Sequence, residues 1–334
     1  MKAIGYKVPG APEVLTDITL PDPVAAGRDL LVEVKAVSVN PVDMKVRASQ
    51  KPVDGNEYRV LGYDAAGVVK AVGPEVTLFK PGDEVYYSGT LMRQGTNAEL
   101  HLVDERIVGL KPKSLDFAHA AALPLTAVTA WELLFDRLGV MPDDQNDKRT
   151  LLVTGAAGGV GSILVQLARQ LTGLTIVGTA SREETKKWAL ELGAHQVIDH
   201  SQPLAAQLGG RQAELIASLT ATDEHYAQLV EALAPQGAIG VIDDPATLDA
   251  KPLKRKSASL HWEFMFARSI FQTPDMIRQH ELLTRVAALV DAGTLRTTAD
   301  DNLGPINAAN LRTAHERIAT GKVRGKMVLS GWEK

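Results

Sequence analysis

The 334-residue sequence contains no cysteine. That absence alone excludes disulfides, thiolate nucleophiles and any zinc site with cysteine ligands. Aromatic residues are only 5% of the chain, so the cluster Trp262, Phe264, Phe266 and Phe271 stands out. No apolar run approaches the length of a bilayer span, and Met1–Gly10 lacks the apolar core of a secretion signal. A cytoplasmic location with no membrane partner is therefore expected. A formal net charge of -4 offers no basic surface for nucleic acid. Repeats at solenoid periods and low-complexity tracts are also missing. The length suits two ordinary domains.

What is present centres on Thr150–Leu171. Thr150-Leu151-Leu152-Val153-Thr154 is apolar and rich in β-formers, as a buried parallel strand should be. Gly155, Gly158, Gly159 and Gly161 follow at once, and apolar residues then recur at 160, 163, 164, 167, 168 and 171, one face of a helix. Strand, glycine turn and helix together form the setting of a dinucleotide-binding fingerprint. Free N–H groups at the helix start, aided by the helix dipole, hold a diphosphate. Ala157, Gly158, Gly159, Val160 and Gly161 are the candidate cradle. A Cβ at Gly158 would hold the phosphates away, and one at Gly161 would push the helix off the strand. Ala156 replaces the first glycine, so the pattern is A-x-G-x-x-G.

On either side the chain reads differently. Up to about residue 124, short apolar runs (Asp29–Val39, Ala65–Gly73, Asp83–Tyr87, Ala98–Val103, Ile107–Leu110) alternate with turn signals such as Pro9-Gly10 and Pro81-Gly82. This predicts an antiparallel, barrel-like domain. From 150 on, strands at 150–154, Thr175–Ala180, Gln196–Asp199, Glu214–Leu219 and Ala238–Ile242 alternate with helices at 160–172, 182–192 and 223–233. That alternation predicts βα units around a parallel sheet. Amphipathic helices are expected at Pro274–Ala292 and Asn310–Thr320, and a closing strand at Lys326–Leu329; this tail is expected to return to the first domain.

The strand after the fingerprint selects the nucleotide. An NAD site ends that strand in Asp or Glu; here it reads Thr179-Ala180-Ser181-Arg182, with Lys186 one turn on. A hydroxyl, a guanidinium and an ammonium suit a 2′-phosphate, which favours NADPH. Ser181-Arg182-Glu183-Glu184 is also a capping box, and Glu183 and Glu184 keep NAD open.

Taken with this fingerprint, Val37–Asp43 (VSVNPVD), Gly62–Val69 (GYDAAGVV), Lys80–Val85 (KPGDEV), Leu125–Trp131 (LTAVTAW) and Gly325–Leu329 (GKMVL) resemble the medium-chain dehydrogenase/reductase superfamily, in its zinc-free quinone-oxidoreductase branch. The resemblance implies an α/β chain with a GroES-like, β-rich catalytic domain from both ends (1–124 and 273–334), a central Rossmann doubly wound parallel-sheet domain (125–272) binding NADPH, an active site in the cleft between them, and a homodimer. The superfamily's catalytic zinc ligands fall near Asn40, Tyr63 and Ala122, none of which suits zinc, so no zinc is expected. No two of the eight histidines share an i,i+4 helical spacing.

Without a Lewis acid, an electron-poor acceptor, a quinone or α,β-unsaturated carbonyl, can still take a hydride, with donors stabilising the charge that develops on its oxygen. Tyr63, Asn40 and Lys45 are the candidate donors, each with a plain alternative: a lining aromatic, a loop tie and a solvated lysine. By resemblance Thr126 contacts the nicotinamide, Lys186 binds the 2′-phosphate, His200 stands where quinone reductases have a tyrosine, and Lys326 reaches the cofactor. Asp43 and Arg47 read as a loop-bracing ion pair; Asp243 and Asp244 face ribose or solvent. Trp262, Phe264, Met265 and Phe266 line a flat acceptor pocket or pack a dimer interface. The competing functions are a nucleotide-loaded accessory protein with little turnover and an alcohol dehydrogenase with an atypical metal site.

Overall fold

The computed structural model describes residues 1–53 and 55–333. The chain forms two compact units, Met1–Leu125 with Phe266–Lys334, and Thr126–Met265.

The first segment carries β1 (Lys2–Tyr6), β2 (Thr16–Thr19), β3 (Asp29–Ser38), α1 (Pro41–Ser49), β4 (Arg59–Val60), β5 (Ala65–Val72), β6 (Glu84–Tyr87), β7 (Leu100–Asp104), β8 (Val108–Leu110) and α2 (Phe117–Ala121). β3 shows the alternation of a half-buried strand up to Ala36: Leu30, Val32, Val34 and Ala36 are fully buried while Asp29, Leu31, Glu33 and Lys35 are partly exposed. The alternation fixes which face points to the core, because a one-residue slip would turn all four outward.

The second unit begins in α3 (Pro124–Trp131), which runs into a π-helical turn at Glu132–Arg137. Then come β9 (Thr150–Val153), α4 (Gly159–Leu171), β10 (Thr175–Thr179), α5 (Glu183–Glu191), β11 (Gln196–Ile198), α6 (Leu204–Gln207), β12 (Ala213–Ser218), α7 (Thr222–Ala232), β13 (Leu233–Val241) and β14 (Ser259–Trp262). The strands lie in the order β11-β10-β9-β12-β13-β14, every pair parallel. This is the doubly wound order: the chain runs outward from β9 to β11, crosses back to place β12 beside β9, and ligands bind at the carboxyl ends at that switch point. Leu152, Val177, Ile216 and Ile239 fill the core. The sequence reading missed β14 because Lys251–Lys256 and the aromatics after it mask its short pattern.

The return segment supplies α8 (Ala267–Phe271), α9 (Arg278–Asp291), β15 (Ala299–Asn302), α10 (Ala308–Ala319) and β16 (Lys326–Ser330). β16 pairs antiparallel with β3, Val328 opposite Ser38, in the sheet β15-β16-β3-β5-β6-β8. α9 packs on β8: Tyr86 Oη donates to Leu283 O at 2.6 Å, and a Cβ at Gly109 would come within 2.7 Å of Leu283 Cβ. The chain re-enters the first unit at Phe266, earlier than the expected 273. Phe266 stacks edge-on against Tyr63 at 5.5 Å, and Ser269 bonds Thr90.

One stretch departs from the expectation about apolar length. Phe117–Arg137 is long and apolar enough to cross a bilayer by composition, yet 83% of its apolar window is buried inside the protein.

Candidate active site

The glycine turn sits where β9 hands over to α4. Gly158 caps the helix with extended backbone and no side-chain cap, so the first N–H groups of α4 lack a capping acceptor. The glycines there do two different jobs. A Cβ at Gly161 would lie 2.3 Å from Gly155 O and 2.7 Å from Ala156 Cα, so this glycine lets the helix approach its own strand. A Cβ at Gly158 would meet only Gly155 O, at an ordinary 3.4 Å. Nothing in the chain forbids a side chain at 158; the space lies open at the helix start, where a diphosphate fits. Thr179, at the end of β10, holds the turn by accepting from Gly155 N at 3.2 Å.

Ser181, Arg182, Lys186 and His200 gather at the carboxyl ends of β10 and β11. Ser181 does not cap α5, as the capping-box pattern predicts. Arg182 is the N-cap residue, and its Nη1 lies 2.6 Å from Glu184 Oε1. The box fails because α5 starts one residue later, at Glu183. Ser201 donates to Asp199 through its amide and hydroxyl. These bonds hold the Asp199 carboxyl below its ordinary range, helped by the charges of Lys186 and His200. Asp243 is not free for ribose: its carboxylate accepts from the amide and hydroxyl of Thr222 and so closes the start of α7. Thr126 lies buried on α3.

The first unit holds a buried polar centre drawn from four separate segments. Asp64 Oδ2 accepts from Ser38 Oγ at 2.8 Å, Asn40 Nδ2 at 2.7 Å and Lys326 Nζ at 3.2 Å; its Oδ1 accepts from Leu125 N at 2.7 Å. Lys326 Nζ also donates to Asn40 Oδ1 at 2.5 Å and Val39 O at 2.9 Å. All three ammonium protons thus have acceptors. Burial lowers the Lys326 pKa, and the Asp64 carboxylate opposes that fall. Lys326, expected to reach the cofactor, is instead committed inside its own unit. Asn40 likewise is tied at both ends of its amide.

Asp43 accepts from Asn40 N at 2.8 Å and from Gly62 N at 2.9 Å. Gly62 sits at φ +102°, where a Cβ would come within 2.5 Å of Thr96 Oγ1, so the turn that aims this N–H requires glycine. Burial pushes the Asp43 carboxyl up to about 7 against those two bonds. Asp43 and Arg47 form no ion pair. Arg47 donates to Gly10 O and lies 2.7 Å from His315 Nδ1; burial first, then this guanidinium, pushes the His315 imidazole down to about 3. Lys45 stands exposed on α1.

Tyr63 differs from the other buried tyrosines. Tyr6 Oη donates to Val46 O and Gln50 O, Tyr86 Oη to Leu283 O, and Tyr87 Oη lies 3.0 Å from His101 Nδ1. Tyr63 Oη alone among these has no hydrogen-bond partner among the described residues, although the residue is wholly buried. Burial pushes its pKa up to about 12, and the Arg59 guanidinium, near enough to act on the hydroxyl as a donor but not in good hydrogen-bond geometry, pulls the other way. An orphaned buried hydroxyl is costly and calls for an explanation.

Residues 26–113 match the family model described as alcohol dehydrogenase GroES-like domain, and residues 192–329 match zinc-binding dehydrogenase. Zinc-type alcohol dehydrogenase-like protein SAS2087 of Staphylococcus aureus (strain MSSA476) is 39% identical over 316 residues, 92% of each chain. The chain belongs to the medium-chain dehydrogenase/reductase superfamily. Human quinone oxidoreductase is 31% identical over 343 residues, covering 98% of this chain and 97% of its own. The crystal structure of a putative zinc-dependent alcohol dehydrogenase from Rhizobium etli CFN 42 superposes with a TM-score of 0.95 at 55% identity, over 100% of this chain and 99% of that one.

Membership makes the donor chemistry of the polar centre decisive, because three of these descriptions name zinc. Zinc takes thiolate, imidazole and carboxylate in a tetrahedral set. The centre offers one amide, one backbone carbonyl and one carboxylate, all already bonded to an ammonium. Among the described residues no group of three or more His, Cys, Asp or Glu could hold a metal. The residues present do not fit zinc. The sequence reading missed Asp64 and the inward role of Asp43. A signal for Asp64 was present, since an acidic residue set directly before the buried strand β5 needs partners.

Proposed function

We propose that this superfamily member is an NADPH-dependent, zinc-independent reductase of quinones or α,β-unsaturated carbonyls. The observation that carries the reading is the glycine turn, where Gly158 leaves open a space that the chain itself has no need to leave open. Bound NADPH supplies the hydride. The chain supplies the rest: the start of α4 for the diphosphate, and Ser181, Arg182 and Lys186 for the 2′-phosphate, which a carboxylate at the end of β10 would repel. Tyr63 is the proton donor of this reading. Its phenol is protonated across the neutral range, and its hydroxyl meets no hydrogen-bond partner in good geometry among the described residues, with the Arg59 guanidinium the nearest donor.

The test is NADPH oxidation against a panel of quinones, enones and nitroalkenes, repeated with NADH and with a chelator. NADPH preference and chelator indifference are expected. Equal rates with NADH would discard the Ser181, Arg182 and Lys186 assignment, and loss of activity on chelation would discard zinc independence. A second reading, a nucleotide-loaded accessory protein, is favoured by one observation: Asn40 is tied to Lys326 and Asp64, and Tyr63 is wholly buried. NADPH binding without turnover on every acceptor would select it.

A homodimer belongs to the same reading. β14 is an edge strand of its sheet, with Trp262 54% and Phe264 50% exposed on or beside it, while Met265 and Phe266 are buried. A second copy covering that edge would hide the aromatics. Light scattering that gives a monomer mass would remove this part.

A further inference from the structure

We infer that Lys326 is the resident cation of the first unit: its ammonium fills a buried oxygen cluster that a metal would otherwise claim, so the cluster is built for an alkylammonium and not for zinc. This inference rests on the zinc-independent half of the proposed function and explains it in residues.

Asp64 is wholly buried, and a buried carboxylate needs a counter-ion or strong donors. It receives four contacts, from Ser38 Oγ, Asn40 Nδ2, Lys326 Nζ and Leu125 N, and only the third is a cation. Asp43, also buried, takes two backbone N–H groups and no cation in direct contact. The single ammonium therefore serves the whole centre. Its donors match the acceptors in number and type: amide oxygen, backbone carbonyl and carboxylate, at 2.5, 2.9 and 3.2 Å. A divalent ion at the same oxygens would stand on the ammonium, and like charges at that separation are excluded. If the ammonium were absent, the vacated set would be all oxygen, which suits hard cations and alkylamines and gives zinc neither thiolate nor imidazole.

The placement of Lys326 makes the device rigid. It is the first residue of β16, whose pairing with β3 sets Val328 against Ser38. Val39 N donates to Met327 O at 3.2 Å, so the strand that brings the ammonium also brings the loop that receives it.

The test is chemical complementation in the full chain. Lys326→Ala removes three methylenes and the ammonium, the shape of n-propylammonium. The variant should melt roughly 10 °C below the parent, as expected for a buried ion pair that loses one partner. n-Propylammonium should raise its midpoint in a saturable manner and leave the parent unchanged. 1-Propanol, of the same size without the charge, and zinc should not. Recovery by propanol equal to that by the amine would overturn the inference, as would a midpoint unchanged by the substitution or a greater gain from zinc than from amine. If Lys326→Ala does not fold, Lys326→Arg and the parent are used. The parent, expressed with added zinc, should carry far less than one zinc per chain by elemental analysis, and Lys326→Arg should carry no more. Stoichiometric zinc in either would overturn the inference. Because midpoints and metal content do not involve turnover, an inactive but zinc-free and amine-responsive chain would sink only the proposed function.

Discussion

The glycine turn and the polar centre solve opposite problems. At the turn, the protein withholds atoms: a short contiguous run leaves open space at a helix start whose first N–H groups have no side-chain cap. At the polar centre it leaves nothing open: Ser38, Asn40, Asp43, Asp64 and Lys326, distant in sequence, satisfy one another. The contrast teaches that a buried polar cluster can look like a site in composition and yet be closed chemically, while a run of glycines with almost no functional groups can be the place where binding happens.

The strongest way to break the comparison is inside the turn itself. Gly161→Val places carbon atoms on Gly155 O and Ala156 and should destabilise the fold by about 3 kcal/mol or more, read as a lower melting midpoint. Gly158→Ala should leave the midpoint within about 0.5 kcal/mol of the parent but weaken NADPH binding, read by nucleotide fluorescence. If the two behave alike, the turn does not divide into a packing glycine and a binding glycine.

Next in size is Asp64→Asn. It leaves the Lys326 ammonium buried without its carboxylate and should cost about 3 kcal/mol, measured by urea unfolding, with little change in NADPH affinity. A large loss of affinity at unchanged stability would reverse the roles assigned to the two regions.

At the nucleotide edge, Arg182→Ala with Lys186→Ala should raise KM for NADPH roughly tenfold and leave KM for NADH nearly unchanged. The exposed Arg182–Glu184 pair should contribute little to the melting midpoint.

A pH titration sharpens the difference within the second unit. Burial, reinforced by Glu132, pushes the Glu263 carboxyl up to about 9, while Arg137, 2.9 Å away, opposes it. The folded state therefore holds a proton that the unfolded state gives up near 4.5. The stability from that proton is complete below 4.5 and is lost as pH rises toward 9. Glu263→Gln should flatten the fall in melting midpoint between pH 6 and 9. An unchanged slope would show that Glu263 is not the group responsible.

The smallest effect is expected at Tyr63. Tyr63→Phe removes an orphaned hydroxyl and should be neutral or stabilising by about 1 kcal/mol, while turnover falls. Loss of stability together with loss of turnover would show that the hydroxyl has a structural partner.

Legibility followed the same division. The parallel strands, the helices between them and the glycine turn were readable because each depends on a local period or a local steric demand. β9 and α4 fall within one residue of expectation at each end. The capping box at Ser181 misled because the pattern fits two helix starts one residue apart, and packing chose Arg182. Asp43 and Arg47 looked like an ion pair, but the fold brings each a different partner from far along the chain, Gly62 N and His315. The inward bonds of Lys326 were not legible either, since nothing in Gly325-Lys326-Met327 says whether a side chain on that strand turns inward.

The amino-acid order by itself determined the alternation of strand and helix, the place of the glycine turn and the exclusion of cysteine chemistry, because those follow from spacing, backbone sterics and residue type. The tertiary structure alone decided which polar groups are spent internally and which remain for a ligand. Hydrogen-bond partners far apart in the chain meet only when β16 pairs with β3, and the strength of each charge is set by the burial that this pairing creates.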